Sequence, residues 1–286
     1  MNLLATDDRN AEQVAYWNGP NGERWRTRQQ DQDALLAPVT DALLLRAAPA
    51  AGDVAIDVGC GCGATSIELA RRVAPGGRVL GIDISAPMLA RARERAPAEL
   101  PLSFIMADVT AYTFEAGAAD LLFSRFGVMF FAEPQKSFIN MRRALRRRGR
   151  LVFACWRDPR SNPWLMLPFE EACRHVPRPA PSAPEEPGPF AFADERRVRG
   201  ILDGAGFSEV RLEPVDLTFD IAFGRGLDAA VDGMMGMGPT ARALEGQPPQ
   251  IRAAAAQSIR AAFAQYQAGN SVMLPGAIWI ACAANP

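Results

Sequence analysis

The stretch Val54-Ala-Ile-Asp-Val-Gly-Cys-Gly-Cys-Gly63 decides the fold. Residues 53–58 form a short apolar strand. Gly59, Gly61 and Gly63 follow at once, and residues 64–73 then read as a helix with Ile67, Ala70 and Val73 on one side. Glycines at a strand-to-helix turn adopt positive φ and let the backbone approach a ligand closely. The helix start beyond them supplies free N–H groups for an anionic group. The spacing GxGxG differs from the GxGxxG of a dinucleotide site, and Asp57, two residues before the first glycine, narrows the reading further.

Outward from this turn the pattern repeats. Residues 78–83 are a second strand, ending in Asp83. Ser85 is an N-cap and Pro87 stands in the first turn of a helix that stops before Pro97. Strands are expected at 102–107, 119–124 and 151–156, with a helix over 134–148 ending at Gly149. Strands alternating with helices in this way predict a mostly parallel α/β sheet covered on both faces, with right-handed crossovers. Asp57, Asp83 and Asp108 all fall at its carboxyl edge, where open α/β sheets bind ligands. A carboxylate at Asp83, about 20 residues past the glycines, can accept both hydroxyls of a ribose.

Beyond Trp156 the regularity breaks. Six prolines between 177 and 189 mark a rigid surface segment. A helix over 194–205 and a strand over 209–217 follow, then roughly 55 residues before the apolar strand 277–283. That long connection holds Met234, Met235, Met237 and an alanine-rich helix over 251–267, and is expected to be a functional insertion. The first 50 residues read as helical, with Trp17 and Trp25 flanking an Asn-Gly-Pro-Asn-Gly loop.

Composition sets the outer limits. The chain has 286 residues, 49% of them hydrophobic and 22% charged, which suits a globular protein with a large core. A formal charge of −1 offers no bulk field for nucleic acid or an anionic membrane, and no apolar run is long enough to span a bilayer. Five cysteines and an N-terminus without a leader pattern predict a reducing, cytoplasmic location. His175 is the only histidine, which excludes His-pair metal sites; Cys60 and Cys62 read as small residues of the glycine loop, and no metal is expected. Arg142, Arg143, Arg146, Arg147 and Arg148 are expected to crowd a solvated helix C-terminus.

The glycine run, Gly81-Ile-Asp-Ile-Ser85, Ala107-Asp-Val109 and Asp120-Leu-Leu-Phe-Ser124 together resemble the class I S-adenosylmethionine-dependent methyltransferases. The resemblance is strong over about 50–156 and looser beyond. It implies a Rossmann-like seven-stranded sheet of order 3-2-1-4-5-7-6 with the seventh strand antiparallel, and S-adenosyl-L-methionine as cofactor. Gly59 and Gly61, with Cys60 between them and Asp57 just before, would lie under the methionine portion. Asp83 would hold the ribose, Ile84 and Met88 would pack on adenine, and Asp108 would accept from the adenine amine with Val109 beside it. Ser124 would lie near the methionine amine or the reacting sulfur.

Residues 1–50 would form a helical cap in which Tyr16, Trp17 and Trp25 close the site. Residues 51–216 and 271–286 would be the cofactor domain, and 217–270 a lid over the acceptor. Tyr16 and Arg125 are the candidates for catalytic roles, Arg125 either as a substrate anchor or as an ion-pair partner of Asp57 or another acid. The implied reaction is methyl transfer to a small, partly apolar acceptor at oxygen, nitrogen or carbon, by a monomer or homodimer. A non-methylating enzyme using the same cofactor and a cofactor-bound scaffold remain the alternatives.

Overall fold

The computed structural model describes residues 10–180, 183 and 185–286. The segment 1–9, read above for a leader, and Pro181, Ser182 and Pro184 of the proline-rich segment lie outside the described residues. Five strands run parallel: β1 (Val54–Val58), β2 (Arg78–Asp83), β3 (Leu102–Met106), β4 (Ala119–Arg125) and β5 (Leu145–Trp156). They are joined by β6 (Ser208–Asp220), the two-residue β7 (Gln267–Ala268) and β8 (Ser271–Ala284). The sheet order is β3-β2-β1-β4-β5-β8-β6, with β8 antiparallel to both neighbours and β7 a short hairpin partner of β8. Leaving β7 aside, this is the expected 3-2-1-4-5-7-6.

The glycine turn leads from β1 into α4 (Ala64–Val73), so its backbone sits at the carboxyl edge, as its position in the sequence predicts. Before it come α1 (Ala11–Asn18), α2 (Pro20–Thr27) and α3 (Gln29–Ala47). The long α3 buries Leu35, Leu36, Val39, Leu43 and Leu44 in the main core and packs on β4, β5 and β6. It is therefore a layer of the sheet domain, although its first turns, with α1 and α2, reach the cavity at the carboxyl edge. After it come α4 (Ala64–Val73), α5 (Ala86–Arg95) and α6 (Pro134–Ala144).

The structure shifts several sequence boundaries, each for a visible reason. The helix expected to reach Arg148 ends at Ala144, and Arg146, Arg147 and Arg148 belong to the start of β5. There the C-terminal tail holds the chain extended: Arg148 N donates to Asn285 O, and Asn285 Nδ2 donates to Leu145 O and Arg146 O. The two last long strands extend further than the apolar runs suggest, pairing from Ser208 with Ala284 to Asp220 with Met273. Pro275 and Gly276 look like a break in the sequence. In the structure a Cβ at Gly276 would fall 2.4 Å from the Phe219 ring and 2.6 Å from that of Trp164, so the glycine admits two large rings against the strand.

The connections after β5 build a smaller layer. It comprises α7 (Pro163–Ala172), which follows β5, and α9 (Leu227–Met235), α10 (Gly238–Ala243) and α11 (Pro249–Ala264), which lie between β6 and β7; α8 (Glu195–Gly204) instead packs on α6 and β6. Phe169, Ala172 and Val176 share a second core with Ala243, Leu244 and Ala255. His175 Nε2 lies 2.7 Å from Ser258 Oγ at this seam, away from the sheet edge. Sequence reading placed residues 157–176 with the cofactor domain; α7 packs on β8 of the sheet and also on α10 and α11 of the later insertion.

Asn162 fixes α7 to the sheet. It is fully buried, its Oδ1 accepts from Ala277 N at 2.9 Å, and its Nδ2 donates to Ala277 O at 3.1 Å and to the carbonyls of Arg157 and Asp158. Asn162→Ala removes the acceptor of the Ala277 N–H and of Trp164 Nε1 and the donor to the Arg157 carbonyl. It should lower the urea unfolding free energy by about 2–3 kcal/mol. A loss below about 0.5 kcal/mol would show that α7 is held by packing alone.

Candidate active site

The turn after β1 is shaped by contact with its neighbour. Gly59 has φ +67°, and a Cβ there would fall 2.6 Å from the Cα of Gly127, so the loops after β1 and β4 touch backbone to backbone. Gly61, also at positive φ, has only the Met88 sulfur within reach of such a Cβ, at 3.8 Å, and faces an open cavity of about 640 Å³. The first turn of α4 opens on the same space. Its N-cap is Gly63, no side chain caps it, and Ala64 and Thr65 line the cavity. Its free N–H groups suit an anionic group.

Asp83 joins the loops around this space. Its Oδ2 accepts from Gly61 N at 2.7 Å and its Oδ1 from Ser85 N at 2.9 Å. Sequence reading expects a carboxylate partly exposed in the cleft. In the structure the residue is only 7% exposed, because these two bonds draw it under the loop. Burial raises its pKa, against the two backbone bonds that hold the charged form. Asp108 is likewise buried: Oδ1 accepts from Thr110 N and Oδ2 from Asn10 Nδ2. Ile84, Met88, Asp108 and Val109 line the cavity with Asp83, as the resemblance leads one to expect.

Two expected residues stand behind the wall. Asp57 is fully buried, accepts from Thr65 Oγ1 at 2.7 Å and Ser66 Oγ at 2.6 Å, and lies outside the cavity lining. It fastens α4 to β1, and its other oxygen has no hydrogen-bond partner. Ser124 is expected beside the reacting sulfur. Instead its hydroxyl donates to Val58 O at 2.7 Å and ties β4 to β1 beneath the glycine turn. Both residues shape the site without facing it.

The cap closes one side. Trp17 packs edge-on against Tyr16, Trp25 and Phe130, with ring centroids 5.1, 6.2 and 5.0 Å apart. Trp17 O accepts from Ser85 Oγ at 2.7 Å. Asn18 donates to Ile84 O and accepts from Ala86 N, both at 2.9 Å. The cap is thus bonded to the loop that carries Asp83. Trp25 and Tyr16 both line the cavity, but Tyr16 is 44% exposed at its rim, and burial raises the pKa of its hydroxyl further from neutrality.

The far end of the cavity is aromatic. Phe126 adopts φ +71°, a costly conformation for a non-glycine residue, and its ring stacks on Trp156 at 4.1 Å and 13°. Trp164 meets Trp156 at 5.0 Å, and Leu165, Phe169 and Met237 from the smaller layer complete the wall. Arg125 also lines the cavity, but the ion pair expected with Asp57 or another acid is not formed. Among the described residues its one partner is Thr40 Oγ1, at 2.7 Å.

Sequence reasoning missed the contribution of α3 (Gln29, Gln32, Asp33, Leu36) and that of α7. Only the tryptophan of Asn162-Pro-Trp164 hinted at the latter. The thiols of Cys60 and Cys62 are held protonated by burial, Cys62 with a pKa pushed up to about 12, and no metal-ligating cluster occurs among the described residues.

Burial pushes the Asp57 carboxyl up to about 6, opposed by the Ser66 and Thr65 hydroxyls. Between the unfolded value near 4 and about 6, the native state keeps a proton that the unfolded chain has lost. The stability contribution is full below that unfolded value and is lost as the pH rises through about 6. Wild type should therefore lose about 1–3 kcal/mol relative to Asp57→Asn between pH 4 and 7 in urea titrations. Parallel profiles would show that Asp57 is ionised throughout that range.

Residues 56–153, the β1-to-β5 half of this sheet, match the methyltransferase domain family. The chain is 33% identical over 184 residues to nocamycin O-methyltransferase of Saccharothrix syringae, covering 61% of this chain and 66% of that protein. It is 37% identical over 130 residues to demethylmenaquinone methyltransferase of Thermus thermophilus, covering 45% and 52%. The chain thus spans about half to two thirds of the length of these two relatives. The phosphoethanolamine N-methyltransferase 2 of Haemonchus contortus, solved with S-adenosyl-L-methionine, superposes with a TM-score of 0.59 at 18% identity, over 99% of this chain and 61% of that one, which shows a shared fold. No helix among the described residues is long and apolar enough to cross a membrane. Over the matched stretch from Ile56 to Phe153, with this sheet order and glycine turn, the chain carries a methyltransferase domain similar to those of the class I S-adenosylmethionine-dependent methyltransferases.

Proposed function

We propose that this chain transfers a methyl group from S-adenosyl-L-methionine to a small, largely apolar acceptor. The observation that carries the reading is the single continuous cavity that runs from Gly61, Asp83 and Asp108 to the aromatic wall of Phe126, Trp156 and Trp164. The residues fit the cofactor. Gly61 offers space where a side chain would intrude, and the uncapped start of α4 faces the same space. Asp83 has one lone pair on each oxygen in use by backbone N–H, which leaves one on each for a vicinal diol. When bound, the sulfonium supplies an activated methyl and a neutral leaving group.

The work of the chain is then placement. Asp83 would hold the ribose, and Asp108, Ile84, Met88 and Val109 would receive the adenine. Gly59, Cys60 and Gly61 would support the methionine portion, with Asp57 and Ser124 holding that loop from behind. Trp25 and the rest of the cap exclude water, and Tyr16 closes the rim. The aromatic wall, built in part by residues 163–176 and 221–270, orients the acceptor. Correct placement alone supplies a large share of the barrier reduction. The two curated relatives, whose names carry a quinone and an antibiotic, agree with an acceptor of this class. The homodimer and the cytoplasmic setting belong to this proposal too.

Asp83→Ala should weaken S-adenosylhomocysteine binding at least tenfold, since a hydrogen bond to a charged group contributes about 1.5–3 kcal/mol. Because the change also leaves Gly61 N and Ser85 N without an acceptor, the empty protein should lose about 1–3 kcal/mol of stability. Calorimetry of the wild type with S-adenosylhomocysteine and with NAD decides the cofactor class. Binding of NAD without binding of the homocysteine product contradicts the proposal.

A further inference from the structure

Arg125 is a cation on the wall of the cavity. Its side chain is partly buried and lines the cavity. It makes no ion pair among the described residues, and the hydroxyl of Thr40 engages only one of its five N–H groups. Two acids act in its field without pairing to it. Asp33 is paired with Arg95 at 2.5 Å, and Asp57 accepts from Thr65 and Ser66. Burial lowers the pKa of Arg125, but a guanidinium stays charged in any protein environment. A buried, unpaired charge costs stability. It also offers a planar fork of donors suited to a carboxylate.

The neighbouring backbone aims it. Arg125 ends β4, and Phe126, next in the chain, takes its left-handed conformation so that the chain turns sharply into Gly127, against Gly59. Arg125 lines the same cavity as the glycine turn and the aromatic wall, and its Nη1 donates to Thr40 of α3. We propose that Arg125 is a carboxylate receptor on the cavity floor, and that its charge is left unpaired in the protein for a bound carboxylate to satisfy. The proposal rests on the methyl-transfer reading for the identity of its two sources: the amino-acid end of the cofactor, or an acidic group on the acceptor.

The test compares wild type with Arg125→Met, which keeps the length and removes the charge. Thr40 keeps a partner in the variant, because its hydroxyl also donates to Leu36 O. The melting temperature of the empty variant should be equal to that of wild type or higher. A fall of several degrees would assign Arg125 to the scaffold and overturn the proposal. Binding is then read by calorimetry with S-adenosylhomocysteine and with 5′-methylthioadenosine, which lacks the amino-acid end.

If the cofactor supplies the carboxylate, the variant binds S-adenosylhomocysteine at least about tenfold more weakly and methylthioadenosine equally well. If the acceptor supplies it, both nucleosides bind the two proteins alike. Wild type loaded with S-adenosylhomocysteine then prefers benzoate over benzamide, and the variant loses that preference. Equal nucleoside binding with no preference for benzoate overturns the proposal. Should wild type bind neither nucleoside, the methyl-transfer reading fails by itself, and the benzoate comparison on the empty protein still decides whether Arg125 receives a carboxylate.

Discussion

The carboxylate of Asp83 is the knot of the structure. One oxygen holds the glycine turn through Gly61 N and the other holds the start of α5 through Ser85 N. Ser85 passes the connection on to the cap through Trp17 O, and Asn18 repeats it at Ile84 and Ala86. Three loops that are distant in sequence thus share one buried charge. A charge that is buried and multiply hydrogen-bonded fixes geometry strongly, because moving any partner leaves it uncompensated. The residue expected to hold the ribose is therefore also the residue that assembles the pocket around it.

The opposite end of the cavity is built on different physics. No charge organises the wall of Phe126, Trp156 and Trp164; ring packing does, against Phe219 and β8. Aromatic and apolar contacts are less directional than the bonds at Asp83, and substitution of their members is tolerated more readily. A polar, geometrically fixed half joined to an apolar, repackable half suits a family that keeps one cofactor and varies its acceptors.

How much of this was legible in the sequence follows from the range of the interactions. The parallel strands β1 to β5, the glycine turn and the carboxyl-edge positions of Asp83 and Asp108 depend on local pattern and chain order, whereas Ile84, Met88 and Val109 were singled out only by the resemblance. Arg146, Arg147 and Arg148 were misread because the tail at Asn285, far along the chain, holds that segment extended. Asp57 and Ser124 carry motif positions, but the partners that turn them away from the cavity are a helix start and a carbonyl of the next strand. The contribution of α7 was hidden because its apolar face is answered by helices some 70–90 residues later. Arg125 was weighed as a substrate anchor or an ion-pair member, and only the three-dimensional structure shows that it forms no ion pair among the described residues.

The central claim is that this one cavity seats the cofactor at its polar end and the acceptor at its aromatic end. A crystal structure of the protein soaked with S-adenosylhomocysteine tests it most directly. The account predicts ribose density against Asp83, adenine between Met88 and Asp108, and the thioether pointing toward the Phe126–Trp156 stack. Density for the nucleoside outside the space between Gly61, Asp83 and Asp108, or thioether density directed away from the aromatic wall, would contradict it.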